Sequence, residues 1–164
     1  TYGISKLGGE VLGTFLSKQW EIPTCILRYF FPYDTSGGRP TQWAQQLMRS
    51  EPILVNKDYD PLYSPIYMSD CIRYTIEAVS QCDVPAKIIN VGCTETVTQK
   101  DIIDILSSAL GVKPVFREIT DIPRFWNVDV SLMLTLFGSP KITLREGLTQ
   151  IAKMVQISNV NDYK

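Results

Sequence analysis

The sequence predicts an α/β protein with largely parallel strand pairing. Short apolar strands alternate with helical segments along the chain, and no repeat or low-complexity stretch interrupts the alternation. The 164 residues are 45% hydrophobic and 20% charged, enough for one domain with a real core.

Residues 2–20 place Leu7, Val11, Leu12, Phe15 and Leu16 on one helical stripe. Gly3, Gly8, Gly9 and Gly13 lie in the same segment, and each interior glycine costs a helix about 1 kcal/mol against alanine. Such a helix needs tertiary support, and its glycines suit a closely packed interior or subunit-facing position. Pro23 ends it, and Thr24 to Phe31 reads as a buried strand running into a Gly- and Pro-rich loop that reaches Pro40. A helix follows with Trp43, Ala44, Leu47 and Met48 inward, then an extended piece at Ile53 to Val55, a polar turn from Asn56 to Pro61, and a strand near Ser64 to Met68. Ser69 is placed to cap a helix whose inner face is Ile72, Thr75, Ile76 and Val79.

Lys87 to Gly92 is a second short apolar strand. Thr98-Gln-Lys-Asp101 resembles a capping box opening a helix with Ile102, Ile105, Leu106, Ala109 and Leu110 inside and Gly111 at its end. Val115 to Ile119 reads as a strand, and Asp129 or Ser131 starts a short helix ending near Gly138. The last helix opens on the capping box Thr143-Leu-Arg-Glu146, buries Leu144, Leu148, Ile151, Ala152 and Val155, and frays after Ser158.

The net charge of −1 is spread along the chain, which leaves no electrostatic footprint for nucleic acid or anionic membrane. No apolar run approaches a membrane span and no secretory-type leader is present, so a soluble, cytoplasmic protein is expected. Cys25, Cys71, Cys82 and Cys93 show no C-x-x-C spacing and the chain has no histidine, which argues against zinc and against Ser-His or Cys-His nucleophiles. The cysteines read as buried free thiols. Acid/base chemistry must therefore run on Tyr, Lys, Asp or Glu. The first residue, Thr1, has no linker or cap before a helical segment, which reads as a cut.

Tyr2 and Lys6 stand four apart on a helix, so their side chains share a face. A phenol of ordinary pKa about 10 is a poor base at neutral pH, whereas a neighbouring ammonium favours the phenolate. Such a pair can move a proton to or from a hydroxyl or carbonyl while a cofactor moves hydride. On spacing alone, two surface residues of an amphipathic helix fit as well.

Order along the chain adds information. Tyr2-Gly-Ile-Ser-Lys6 with Gly9 and Glu10 comes first, followed by Leu27-Arg-Tyr-Phe-Phe-Pro-Tyr33. Ser64-Pro-Ile-Tyr-Met-Ser-Asp70 opens a helix and is followed by Ile89-Asn-Val-Gly92. Asp129-Val-Ser131 then leads to Gly138 and Leu144-Arg-Glu-Gly-Leu148. Together these stretches resemble the extended short-chain dehydrogenase/reductases, the NAD-dependent epimerase/dehydratase family.

The resemblance implies the C-terminal part of a Rossmann-like doubly wound parallel sheet plus a smaller α/β substrate-binding domain. Residues 1–34 would end the Rossmann-like part, residues 35–164 would be mostly substrate-binding, and residues 64–82 would return to the Rossmann-like part. It implies NAD or NADP as the parent protein's cofactor, a nucleotide-sugar substrate, and a homodimer through the Tyr/Lys helix. Tyr2 resembles the family's acid/base, and Lys6 the lysine that holds the nicotinamide ribose. Phe31 and Pro32 fall where the loop passes the cofactor, and Tyr33, Tyr63 and Arg124 fall near the substrate. Many relatives carry asparagine at the position of Phe31 and glycine at that of Asp34. Relatives handling uridine-type nucleotide sugars often carry arginine near Tyr63, so a phosphate clamp there is not supported. Arg124 lies where relatives often present a phosphate-binding arginine, a role its fork of donors suits. Asp70 resembles the acid that opens the helix after the Pro-Ile-Tyr strand, with capping as its simplest role. Ser36-Gly37-Gly38 reads as a flexible turn and not as a phosphate loop.

No G-x-G-x-x-G follows a strand, so the pyrophosphate cradle is expected in residues preceding these, as is the Ser/Thr partner of the tyrosine. The parent then reads as a nucleotide-sugar epimerase, dehydratase or reductase, with these residues inactive alone. The alternatives are a sugar-nucleotide-binding or dimerisation module, or one half of a split enzyme.

Overall fold

The computed structural model describes residues 1–121 and 127–161, with side chains described to Ser158. In order the elements are helix α1 (Tyr2–Trp20), strands β1 (Cys25–Tyr29) and β2 (Pro32–Tyr33), helix α2 (Arg39–Met48), strands β3 (Ile53–Asn56), β4 (Leu62–Tyr63) and β5 (Ile66–Tyr67), and helix α3 (Met68–Glu77). A 3₁₀ turn (Ala78–Gln81) follows, then β6 (Lys87–Val91), β7 (Val97–Thr98), α4 (Gln99–Leu110), β8 (Phe116–Ile119), α5 (Ser131–Phe137) and α6 (Leu144–Asn161).

Among the described residues the strands form two-stranded pairs. β1 with β6, β2 with β5 and β3 with β8 are parallel, and β4 with β7 is antiparallel. The expected α/β class with mostly parallel pairing is what the chain adopts.

β1 and β6 carry a helix on each face, because alternate residues of a strand point to opposite sides. Ile26 and Arg28 face α1, where Ile26 Cδ1 would stand 3.6 Å from a Cβ added at Gly13 and Arg28 binds Glu10. Cys25, Leu27 and Tyr29 face α3: the first two join a cluster with Cys71, Tyr74, Ile89, Val91 and Met133, and Tyr29 bonds Thr75 through its hydroxyl. A second cluster lies where α2, α4 and α6 pack together, built on Trp43, Leu47, Ile102, Leu106, Leu148 and Ile151.

The capping boxes form as expected. Thr98 Oγ1 accepts the Asp101 amide at 3.1 Å while Asp101 accepts the Thr98 amide at 2.8 Å, and Thr143 and Glu146 repeat the arrangement at 3.3 and 2.9 Å. Gly111 closes α4 at φ 70°, the left-handed conformation that favours glycine. The five residues expected inside α6 are all buried.

Two helices turn a different face inward than their periodicity suggests. On α1 only Ser17 is buried, its hydroxyl bonding the carbonyl of Ile22, while Leu7, Val11, Leu12 and Phe15 are exposed. The helix meets the sheet along its Gly13 and Ser17 side, which leaves the apolar stripe outward. On α3 the buried residues are Asp70, Cys71 and Tyr74, one position off the expected stripe, and Ile72, Ile76 and Val79 are exposed. Tyr74 lies against Phe137 and the β6 residues, which leaves the larger apolar face of the helix outward. In α4, Ile103 is buried and Ala109 exposed.

α3 starts at Met68 without a side-chain cap, so Ser69 does not cap it. Asp70, 1% exposed, pairs with Arg73 at 3.0 Å and accepts the amides of Lys141 and Ile142 at 2.9 and 3.0 Å. It therefore ties α3 to the entry of α6 instead of capping its own helix. Cys71 and Cys93 are buried, Cys25 and Cys82 half-buried, and all are free thiols. No described helix is long and apolar enough to cross a membrane.

Candidate active site

α1 runs antiparallel to β1: Gly13 sits by Ile26 and Glu10 by Arg28, so the helix N-terminus projects past the strand's carboxyl end. At 1.5 Å per helical residue against about 3.3 Å per strand residue, Lys6 and Tyr2 reach the level of the loop after β1. Lys6 Nζ lies 5.3 Å from the Tyr2 ring centroid, and Tyr2 is 76% exposed. The expected pair thus shares a face at the carboxyl end of parallel strands, the end at which open α/β sheets bind ligands.

Phe31 follows with φ 55°, uncommon for a residue with a side chain. Hydrogen bonds on both sides hold it: the Phe30 amide to Val91 O at 2.8 Å, and the Ile66 amide to Phe31 O at 3.3 Å. This geometry turns the half-buried Phe31 ring onto Tyr63, with centroids 4.4 Å apart and planes at 52°. Tyr63 in turn meets the edge of Trp43 at 5.9 Å. Pro32 is exposed beside this turn.

Behind Tyr63 is a cavity of about 230 Å³ lined by Arg39, Trp43, Asn56, Tyr59 and Gln99 among others. Arg39 opens α2, Asn56 ends β3 and Gln99 opens α4, so element ends converge on it. Asn56 Nδ2 donates to Asp121 O at 3.1 Å and its Oδ1 accepts the Asp58 amide at 2.9 Å; Gln99 Nε2 donates to Leu54 O at 2.8 Å. Burial pushes the Tyr63 phenol up to about 12 against the opposing charge of Arg39, so it stays neutral at physiological pH.

Of the expected site residues, the structure groups Tyr2 with Lys6, and Phe31 and Pro32 with Tyr63. Tyr33 is 1% exposed inside the core, its hydroxyl directed at Leu144 O and hemmed by Gly147, and burial raises its pKa strongly. It is a packing residue in this chain and not the expected substrate neighbour. Arg124 lies outside the described residues.

Ser36-Gly37-Gly38 forms a turn between β2 and α2. The Asp34 carboxylate accepts the Ser36 and Gly37 amides at 2.8 and 3.0 Å, and hydrogen bonding with Ser36 holds its pKa below the usual range. A strand does precede this turn and a helix does follow it, but the carboxylate fills the amide cradle an anion would need. Arg39, Asn56, Tyr59 and Gln99 were not legible as site residues. The available signal was weak: polar side chains at the ends of elements whose other faces are apolar. Among the described residues no His/Cys/Asp/Glu group could hold a metal ion.

The fold and the order of its elements are those of the C-terminal part of an extended short-chain dehydrogenase/reductase. No protein-family model matches the chain. It is 24% identical over 156 residues to the uncharacterized UDP-glucose epimerase YtcB of Bacillus subtilis, covering 90% of this chain and 49% of that protein. Its structure is similar to the UDP-glucuronic acid 4-epimerase of Bacillus cereus, solved with UDP-glucuronic acid and NAD, at TM-score 0.84 and 27% identity, covering 96% of this chain and 52% of the other. The UDP-glucose 4-epimerase of Thermotoga maritima, solved with UDP-glucose, shares the fold at TM-score 0.80 and 22% identity, covering 96% and 54%. The chain spans about half the length of the relatives it matches.

Proposed function

We propose that these residues supply the acid/base pair and the substrate side of an NAD(P)-dependent nucleotide-sugar epimerase. Three observations support it: Tyr2 and Lys6 reach the level of the loop after β1, the Phe31 ring of that loop packs on Tyr63, and Tyr63 lines the polar cavity with Arg39 and Gln99. UDP-sugar and NAD complexes of the similar structures support it.

The sugar lies by Tyr2 and Lys6, and the nucleoside occupies the cavity with Arg39 near its phosphates. NAD(P), held mainly by residues other than these, supplies the hydride acceptor. Tyr2 takes the proton of the sugar hydroxyl as its carbon is oxidised and returns it on reduction. Lys6, on the same face as Tyr2, would orient the nicotinamide ribose, while Phe31 and Pro32 exclude water beside it. The hydrophobic clusters support two parts with bounds different from 1–34 with 64–82: the cluster on the β1–β6 sheet also takes in residues 89–91 and 128–137, so β6 and α5 belong with the Rossmann-like part, and the other cluster is built mainly on α2, α4 and α6.

The test uses the complete gene product containing this chain, incubated with UDP-glucose and UDP-glucuronic acid, the 4-epimers being separated by chromatography. Interconversion of either, reduced about 100-fold or more by Tyr2→Phe, is expected. An unchanged rate in Tyr2→Phe, or no conversion of either sugar, overturns the assignment.

A second reading, homodimerisation through α1, is favoured by the exposed groove of Ile4, Leu7, Val11, Leu12 and Phe15. Sedimentation at several concentrations checks it. A monomer at all of them excludes that surface.

A further inference from the structure

We infer that Cys25 and Cys82 form a modification site, two free thiols that a small-molecule disulfide such as oxidised glutathione closes into an internal disulfide. The pair lies at the amino end of β1, opposite the end that carries Tyr2 and Lys6, so its oxidation is separate from the proposed acid/base chemistry.

Thr24 and Asp83 form an antiparallel bridge and exchange hydrogen bonds at 2.9 and 3.2 Å. Residues joined in this way stand about 5.5 Å apart at Cα, inside the span a disulfide bridges, about 4.4–6.8 Å. Cys25 follows Thr24 and Cys82 precedes Asp83, so in antiparallel chains both leave the bridge in the same direction. Cys82 is itself extended, at φ −60° and ψ 140°. Thr24 O also accepts the Lys87 amide at 3.0 Å, so β6 takes this edge of β1 and Cys82 is lifted onto the α3 side, where its Sγ donates to Ala78 O at 3.7 Å. Cys25 packs on that same side. Burial first, and the charge of Cys82 second, push the Cys25 thiol up, and the second influence acts only between neighbours.

The remaining cysteines sit elsewhere. Tyr29 bonds Thr75 at the far end of β1, which places Cys71, one turn earlier on α3, roughly 13 Å along the strand from Cys25 at about 3.3 Å per residue. Cys93 follows Val91, the register partner of Tyr29, and so lies at that far end too. Both are buried, whereas Cys25 and Cys82 are half-buried and open to a reagent.

The thiolate of one cysteine attacks the disulfide of oxidised glutathione and expels one glutathione thiolate. The second cysteine loses its proton and attacks the mixed disulfide, expelling the other. Two protein thiols give up two electrons, the reagent becomes two thiols, and the cysteine protons end on them. The hydrogen bond of Cys82 to Ala78 O is surrendered at little cost, since a thiol is a weak donor. The new bond closes the chain from residue 25 to residue 82, a long loop of the kind whose closure stabilises most.

The experiment uses the complete gene product, reduced, equilibrated with oxidised glutathione and digested without reductant, with disulfides mapped by mass spectrometry and thermal melts run in parallel. A peptide pair joining Cys25 to Cys82 is expected, with a midpoint raised by roughly 5–10 °C and restored by dithiothreitol. Cys82→Ser should leave Cys25 as a mixed disulfide with glutathione and no such rise. The mapping is done on the unaltered protein, so it decides the matter even where Cys82→Ser fails to fold. Glutathione on both cysteines without an internal bond, a bond from either to a different cysteine, or both still reduced overturns the site.

Discussion

The Glu10 carboxylate on α1 grips the Arg28 guanidinium on β1, with Arg28 Nε 2.9 and 3.0 Å from the two carboxylate oxygens and Nη2 2.5 Å from the second. Because Ser17, near the other end, is the one buried residue of α1, this pair sets the rotation of the half-helix that carries Tyr2 and Lys6. Both side chains retain solvent contact, so the pair is worth under about 1 kcal/mol to global stability. Glu10→Gln is expected to leave the thermal midpoint nearly unchanged while amide hydrogen exchange quickens in residues 2–9. Equal protection of those amides in both proteins would show that the pair does not hold the helix.

Where one face of an element was buried and its caps were strong, the sequence was legible. The Thr98–Asp101 and Thr143–Glu146 boxes, the interior of α6 and the strand at Lys87 all carry local signals that the packing obeys. α1 and α3 misled for a physical reason: each has more apolar surface than this chain buries, so periodicity picked the stripe of Leu7 or Ile72 that here faces outward. Tyr2 and Lys6 share a face, as their four-residue spacing predicts, and the structure adds their place near the carboxyl end of β1. The cavity was not, because Arg39, Asn56 and Gln99 are far apart in sequence and meet only through packing.

Asp70 joins α3 to the chain entering α6 through one guanidinium and two backbone amides. Asp70→Ala leaves Arg73 and both amides without their acceptor, and a loss of about 3–5 kcal/mol is expected from denaturant titration. Asp70→Asn keeps one acceptor oxygen and should lose less. Similar stability for wild type and Asp70→Ala would mean that water replaces the carboxylate fully.

Hydrogen bonding holds the carboxyls of Glu10, Asp34, Asp101 and Glu146 below their ordinary values, through Arg28, Ser36, Thr98 and Thr143 respectively. Each folded value lies below its unfolded one, so this stability is present above the unfolded pKa and is lost as pH falls through the folded pKa. Thermal melts should be flat down to about pH 5 and fall steeply below about pH 4. Asp101→Asn should flatten part of that fall and cost stability at neutral pH. A midpoint that rises on acidification would contradict the sign.

Gly147 marks the tightest approach in the core: a Cβ there would stand 2.5 Å from Tyr33 Oη, 2.9 Å from Tyr67 Cδ2 and 3.1 Å from Tyr33 Cε2. Alanine would gain about 1 kcal/mol of helix propensity in α6, but the overlap costs about 1–3 kcal/mol because Tyr33 is enclosed and cannot step aside. The clash should win, and Gly147→Ala is expected to lower the unfolding free energy. Tyr33→Phe removes the nearest atom and gives up a 3.5 Å hydrogen bond to Leu144 O. The double variant should therefore lose less than the two single losses added, a coupling that a double-mutant cycle measures directly. Gly9 is the control, since nothing lies within 4 Å of a Cβ added there, and Gly9→Ala should hold or raise stability. Strict additivity at Gly147 and Tyr33 would mean that the helix shifts to admit the methyl group, and that Tyr33 does not set the spacing between α6 and β2.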